Sequence, residues 1–164
     1  GESVSRRAGL PREKRRGKSP GEERGGFPVK TFSVRTSERM QMIDITREVQ
    51  AALAGEGVRS GLAQIFVPHT TAAVTINENA DPTVVHDILA DLSRLVPHDQ
   101  RYYQHAEGNS AAHLMSSLVG CSLTVPVEQA RPVLGTWQGI YFCEFDGPRE
   151  RRVIVHVVAE TRAG

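Results

Sequence analysis

The sequence predicts one α+β domain: a mainly antiparallel, distorted sandwich-like β-sheet with a few packed helices. Two observations predict it. Short segments in which apolar and polar residues alternate recur from Val29 to Glu160, and they outnumber the three stretches with helical spacing. Most are joined by short turns, whereas a parallel sheet would need long crossovers. A chain of 164 residues, 39% hydrophobic, can bury one ordinary core and needs no second domain beyond 27–164.

From Val29 to Thr36 and from Met40 to Ile45 the alternation is that of strands with one wet face, with Ser37-Glu38-Arg39 as the turn between them. Thr46 offers an N-cap, and Val49, Ala52 and Leu53 fall at helical spacing before Gly55 and Gly57 end a short helix. Leu62 to Val67 and Ala72 to Ile76 are further strands. Between them Pro68 lacks the donor a central ladder uses, which puts His69 at a strand end or bulge. After Asn77-Glu78-Asn79, Asp81 before Pro82 makes an N-cap followed by an N1 proline, and Val85, Ile88, Leu89, Leu92 and Leu95 form one apolar stripe ending before Pro97. His98 to Asn109 is polar loop. A third helix, capped by Asn109 or Ser110, carries His113 on its first turn and Leu114, Met115 and Leu118 before Gly120. The rest reads as strand: Cys121 to Val127, a short piece around Val133, Gly139 to Phe145, and Arg151 to Glu160. The run from Val153 to Val158 is apolar on both faces and is expected to be central.

The formal net charge of +1 conceals an asymmetry, because residues 1–26 carry eight Arg or Lys against four Glu and leave the remainder at −3. Rich in Arg, Gly, Pro, Ser and Glu and nearly without large apolar residues, this basic tail cannot offset its ordering entropy by burial and is expected to be disordered. The body shows no basic stripe interleaved with aromatics, which argues against nucleic-acid binding. No run is long enough to span a bilayer, and no apolar block follows the basic N-terminus, so a soluble, cytoplasmic protein without a membrane partner is expected. Cys121 and Cys143 both lie in apolar strand-like runs and read as small buried thiols.

Three separated stretches place polar groups beside runs that otherwise look like core, where each costs stability unless it has a partner. The first holds His69, Thr70, Thr71, Asn77, Glu78, Asn79 and Asp81, although Asp81 alone needs no role beyond its cap. In the second, His105 and Glu107 precede a helix whose first N–H groups can receive an anion, and His113 can turn back toward the same spot. Neutral imidazoles at His69, His105 and His113 could complete an open site for a divalent ion. The third runs through Gly135-Thr136-Trp137-Gln138-Gly139 to Glu144, Asp146 and Arg149, whose planar fork suits a phosphate. By itself Trp137 reads equally well as a core or interface anchor, and Arg151 with Arg152 reads as a solvated edge with a neighbouring ion pair. His156 reads as a hydrogen-bonded core residue, while His86 and His98 read as surface.

Taken in order, and with the stretch Leu134-Gly135-Thr136-Trp137-Gln138-Gly139-Ile140 included, these motifs resemble the YjbQ (UPF0047-type) family, also called the secondary thiamine-phosphate synthase family, from about Phe32 to Glu160. The resemblance implies a YjbQ-like fold, a homotrimer with sites near the subunit boundaries, and site residues at His69, Glu78, Asp81, His105, Glu107, Asn109, His113 and Arg149. It also implies an activity: joining a pyrimidine methyl diphosphate to a thiazole phosphate, with a divalent metal ion, zinc or magnesium, assisting. The leaving diphosphate must then be neutralised and the developing pyrimidine cation sheltered from water. The same residue types would also serve a non-catalytic trimeric binder of a metal or phosphorylated metabolite, or a metal-dependent hydrolase.

Overall fold

The structure, a computed structural model, describes residues 29–160. The expected basic tail lies outside the described residues. Eight strands and three helices follow one another as β1 (Val29–Arg35), β2 (Gln41–Asp44), α1 (Thr46–Gly55), β3 (Ser60–Phe66), β4 (Ala72–Glu78), α2 (Pro82–Leu95), α3 (Ser110–Val119), β5 (Ser122–Glu128), β6 (Arg131–Pro132), β7 (Gln138–Glu144) and β8 (Glu150–Ala159). They form a five-stranded sheet in the order β1-β8-β3-β5-β6 and a three-stranded sheet in the order β2-β7-β4. Every pairing is antiparallel.

One core lies between the two sheets and α1, built on Val49, Leu53, Ile65, Val74, Phe142, Val153 and Val155. A second lies between the small sheet and the helices α2 and α3, around Ala73, Ala112, Met115, Tyr141, Cys143 and Phe145. The layers are therefore large sheet, small sheet, helices. From Gly139 onward β7 is buried on both faces, with Ile140 and Phe142 turned to the first core and Tyr141 and Cys143 to the second. Burial pushes the Cys143 thiol up to about 12.

Several expectations change. Residues 37–39 do not close a hairpin, because β1 pairs with β8 and β2 with β7 in the other sheet. β8 is central as expected, hydrogen-bonded to β1 on one side and β3 on the other, but it is not covered on both faces as β7 is: Val153, Val155 and Val157 are buried, while Val158 faces outward with Leu62 and Phe66 of β3. On α3 the buried residues are Ala111, Ala112, Met115 and Ser116, so Leu114 and Leu118 point out, and on α2 Leu95 is exposed. Cys121 is exposed rather than buried, because β5 begins one residue later. Arg151, expected at a solvated edge, is buried: it shares the inward parity of Val153 and Val155.

Candidate functional site

The small sheet sets the geometry. In the β4–β7 ladder Ala72 pairs with Glu144 at one end and Glu78 with Gln138 at the other. Six residue steps separate them, about 20 Å of strand. The predicted residues divide between these two ends.

At the first end, the loop from Pro68 to Thr71 enters β4, α3 packs on that strand, and the Asp146–Arg149 turn leaves β7. Ser116 of α3 donates to the Ala72 carbonyl at 2.7 Å and fixes the helix against the strand. His69 and His113 line one hollow of about 400 Å³ with Thr70, Ser117 and Cys121. The His69 Nε2 accepts the Arg152 backbone N–H at 3.0 Å, a bond that needs the unprotonated ring nitrogen. Burial, then the charges of Arg151 and Arg152, hold the His69 pKa below the ordinary imidazole value. On the other side of His113, the His105 ring stands edge-on to it with centroids 5.3 Å apart, and both line a second hollow with Tyr103 and Ser110. His105 Nε2 lies 3.8 Å from Glu107, with both side chains well exposed.

Asn109, at the N-cap position of α3, does not cap the helix. Its Nδ2 donates instead to Asp146 at 2.9 Å, and the same carboxylate oxygen accepts from Arg149 Nη2 at 2.7 Å, while Arg149 Nε donates to the Asp146 carbonyl at 2.8 Å. Asp146 thus clamps the Arg149 guanidinium beside the start of α3 and leaves about half the arginine side chain exposed. The Asn109 Oδ1 is buried and has no hydrogen-bond partner among the described residues.

The second end is acidic. Asp44 Oδ1 accepts from the Thr46 N–H and hydroxyl at 2.9 and 2.6 Å, and Asn79 donates to its other oxygen at 3.0 Å. Burial works to raise the Asp44 carboxyl, but these bonds and the nearby Arg47 together leave it below the ordinary carboxylate value. Burial, then the charges of Asp44 and Glu78, raise the Tyr141 phenol, whose hydroxyl donates to the Glu78 carbonyl at 3.1 Å. Asp81 caps α2 by accepting from the Thr83 N–H at 2.9 Å. Trp137 is 63% exposed and does not anchor the core of the chain. Its turn is held by Gln138, whose Oε1 accepts from the Gly135 N–H at 2.8 Å. A Cβ at Gly139 would sit 2.5–2.9 Å from Asn79, so only glycine lets the turn close on that side chain.

Within one chain, then, His69, His105, Glu107, Asn109, His113 and Arg149 share an end, and Glu78 and Asp81 stand at the other. Among the described residues no three His, Cys, Asp or Glu side chains form a group that could hold a metal ion. His69 has also committed its Nε2. The expected set of His69, His105 and His113 is therefore not assembled in a single chain, and one chain's residues do not fit the divalent ion.

Glu144 belongs to the third stretch and Arg151 reads as an edge residue with an ion pair, but the structure buries both and pairs them at the first end; parity marks that burial, since Glu144 falls in step with Ile140 and Phe142, and Arg151 with Val153 and Val155. Asp44 gave no such signal, because it is joined to Asn79 only by the β2–β7–β4 pairing.

A sequence profile described as UPF0047 protein YjbQ-like matches residues 30–160. The chain is 53% identical over 130 residues to the UPF0047 protein YugU of Bacillus subtilis, covering 79% of this chain and 98% of that one. It is 50% identical over 129 residues to a UPF0047 protein of Methanocaldococcus jannaschii, covering 79% and 93%. Among solved structures, an uncharacterized conserved protein of the same family from Clostridium acetobutylicum superposes with a TM-score of 0.76 at 50% identity, over 79% of this chain and 99% of that one. A hypothetical protein from Aeropyrum pernix gives 0.75 at 40% identity, over 80% and 98%.

Proposed function

Since the chain belongs to the UPF0047 YjbQ-like family, we propose that it is a transferase of the secondary thiamine-phosphate synthase type, condensing a pyrimidine methyl diphosphate with a thiazole phosphate. In this step the bond between the pyrimidine methylene carbon and the diphosphate oxygen breaks, its electron pair leaving with diphosphate. The lone pair of the thiazole nitrogen forms the new C–N bond, giving thiamine phosphate. No other reactant is consumed.

The observation that carries the reading is the Asp146 clamp, which sets the Arg149 guanidinium and Asn109 together at the start of α3. A planar cation and the positive end of a ten-residue helix are suited to a leaving diphosphate. His113 and His105 flank the same helix turn and can donate to its oxygens when protonated. Because the residues of one chain do not gather a metal site, no step is assigned to an ion.

Sheltering a pyrimidine cation suits the acidic end with its exposed indole at Trp137, yet in the same chain that end is separated by about 20 Å of β4 from the Ala72–Glu144 end, beyond which Arg149 lies. We propose a homotrimer whose sites sit near the subunit boundaries, each pairing the Arg149 end of one subunit with the Glu78 and Trp137 end of the next. One feature supports it. Val29, Leu62, Phe66 and Val158 are exposed on the outer face of the large sheet, and both cores lie on its other side. The described helices include none long and apolar enough to cross a membrane, which accords with a cytoplasmic enzyme acting on small phosphorylated molecules.

The reading is tested by incubating the purified protein with the two precursors. Wild type should form thiamine phosphate and diphosphate, and His113→Ala should not. Equal turnover by the variant would remove this site from the reaction.

A further inference from the structure

Of the salt bridges among the described residues, that between Glu144 and Arg151 has both side chains buried, 0% and 5% exposed. Arg151 Nε donates to both carboxylate oxygens at 3.0 and 3.1 Å, and Nη2 donates to Oε2 at 2.6 Å. An apolar pair of similar volume often stabilises a core as well as such an ion pair or better, because both charges must leave water. Core stability is therefore a weak reason for these two residues, and their remaining bonds point elsewhere.

Arg151 Nη2 also donates to the Thr71 hydroxyl at 2.8 Å, two residues from His69. Glu144 accepts from the Thr36 hydroxyl at 2.8 Å, and that hydroxyl in turn accepts the Arg149 backbone N–H at 2.8 Å. The Thr36 N–H donates to the Arg149 carbonyl at 2.9 Å, so both backbone groups of Arg149 are tied to Thr36. The residue after Arg151 supplies the N–H that holds the His69 ring. Three stretches far apart in sequence, at Thr36, His69–Thr71 and Glu144–Arg152, thus meet at one buried pair, and the turn that carries Asp146 and Arg149 and the loop that carries His69 are both fixed to it.

We propose that Glu144 and Arg151 are positioning residues that set Arg149 and His69 for the substrate, acting through Thr36, Thr71 and the Arg152 amide. The functional part of this rests on the transferase reading above; the positional part does not. Neither residue needs to touch substrate. Exchanging the pair for apolar side chains should leave a folded protein in which the turn and the His69 loop have lost their common reference.

The test is the double variant Glu144→Leu with Arg151→Met, alongside Thr36→Val, which keeps the ion pair but cuts its link to Arg149. Thermal unfolding and circular dichroism establish that each is folded. Amide hydrogen exchange at Arg149 should accelerate in both variants and at Arg152 in the double variant, while the β3 amides keep wild-type protection. Turnover of the two precursors should fall by about 100-fold, mostly in kcat, as expected of a misplacement near 1 Å in a protein that is still folded. Wild-type exchange at Arg149 in a folded variant would overturn the proposal, and so would wild-type turnover. Should the double variant not fold, Thr36→Val carries the expectations for Arg149 exchange and for turnover. If the wild-type protein forms no thiamine phosphate, the transferase reading fails by itself, and the exchange measurement still decides whether the pair positions the turn.

Discussion

Arg151→Met alone is the sharpest perturbation of stability that the fold offers. The change removes three donor contacts to Glu144 and one to Thr71, and leaves a carboxylate of 0% exposure with the Thr36 hydroxyl at 2.8 Å as its remaining close donor. Coulomb attraction and desolvation nearly cancel in an intact buried pair, but deleting one partner removes only the attraction. The cost should therefore be about 3–5 kcal/mol, far above the ~1 kcal/mol or less of an exposed pair. For a body of this size that corresponds to a fall of about 10–15 °C in Tm. Urea unfolding followed by circular dichroism at neutral pH measures it directly, with Glu144→Leu/Arg151→Met as the control that should return most of the loss. A single variant costing less than ~1 kcal/mol would show that Glu144 finds water or another donor, and that the pair is not the closed unit argued above.

Two further outcomes follow from other parts of the molecule. Gly139→Ala puts a methyl group 2.9 Å from the Asn79 Cβ and Cγ, which a side-chain rotation alone does not relieve, and it displaces the Asn79 donor from Asp44; a loss of about 1–3 kcal/mol in the same urea titration is expected, and wild-type stability would mean that the turn is looser than its contacts imply. His69 has a lowered pKa when folded, so the unfolded chain takes up its proton first as pH falls; the His69 contribution is complete above the ordinary imidazole value of about 6.5 and is lost as pH drops through the folded value. His69→Gln should flatten that part of the stability profile, and an unchanged slope would assign the dependence to another group.

Alternation and capping made most elements legible in the sequence. Asp81 before Pro82 marked the start of α2, and the alternating runs marked the strands to within a few residues. Which strands pair was not legible, because β1 and β2 are neighbours in sequence yet belong to different sheets, and their alternation is the same in either arrangement. Near the candidate site, the residue types were readable and their grouping was not. His69 and His113 do share a hollow, and Arg149 lies at the same end through its bonds around Asp146 and Thr36. Glu78 looked like a companion of His69 from nine residues away, but a strand runs between them and carries it to the far end. Arg151 has the charge of a surface residue but the inward parity of Val153 and Val155, and parity decides its burial. Asn109 looked like a cap, and its side chain serves Asp146 instead.

Two ends of one chain are proposed to serve a single site across a subunit boundary. Arg149→Ala and Glu78→Gln can each be purified as a weakly active protein, then unfolded together in equal amounts and refolded so that subunits mix. In a head-to-tail trimer about a quarter of the boundaries then pair two intact ends, and turnover of the precursors should recover to about a quarter of the wild-type rate. Activity no greater than the average of the two separate variants, in mixtures shown by mass spectrometry to contain mixed trimers, would contradict it.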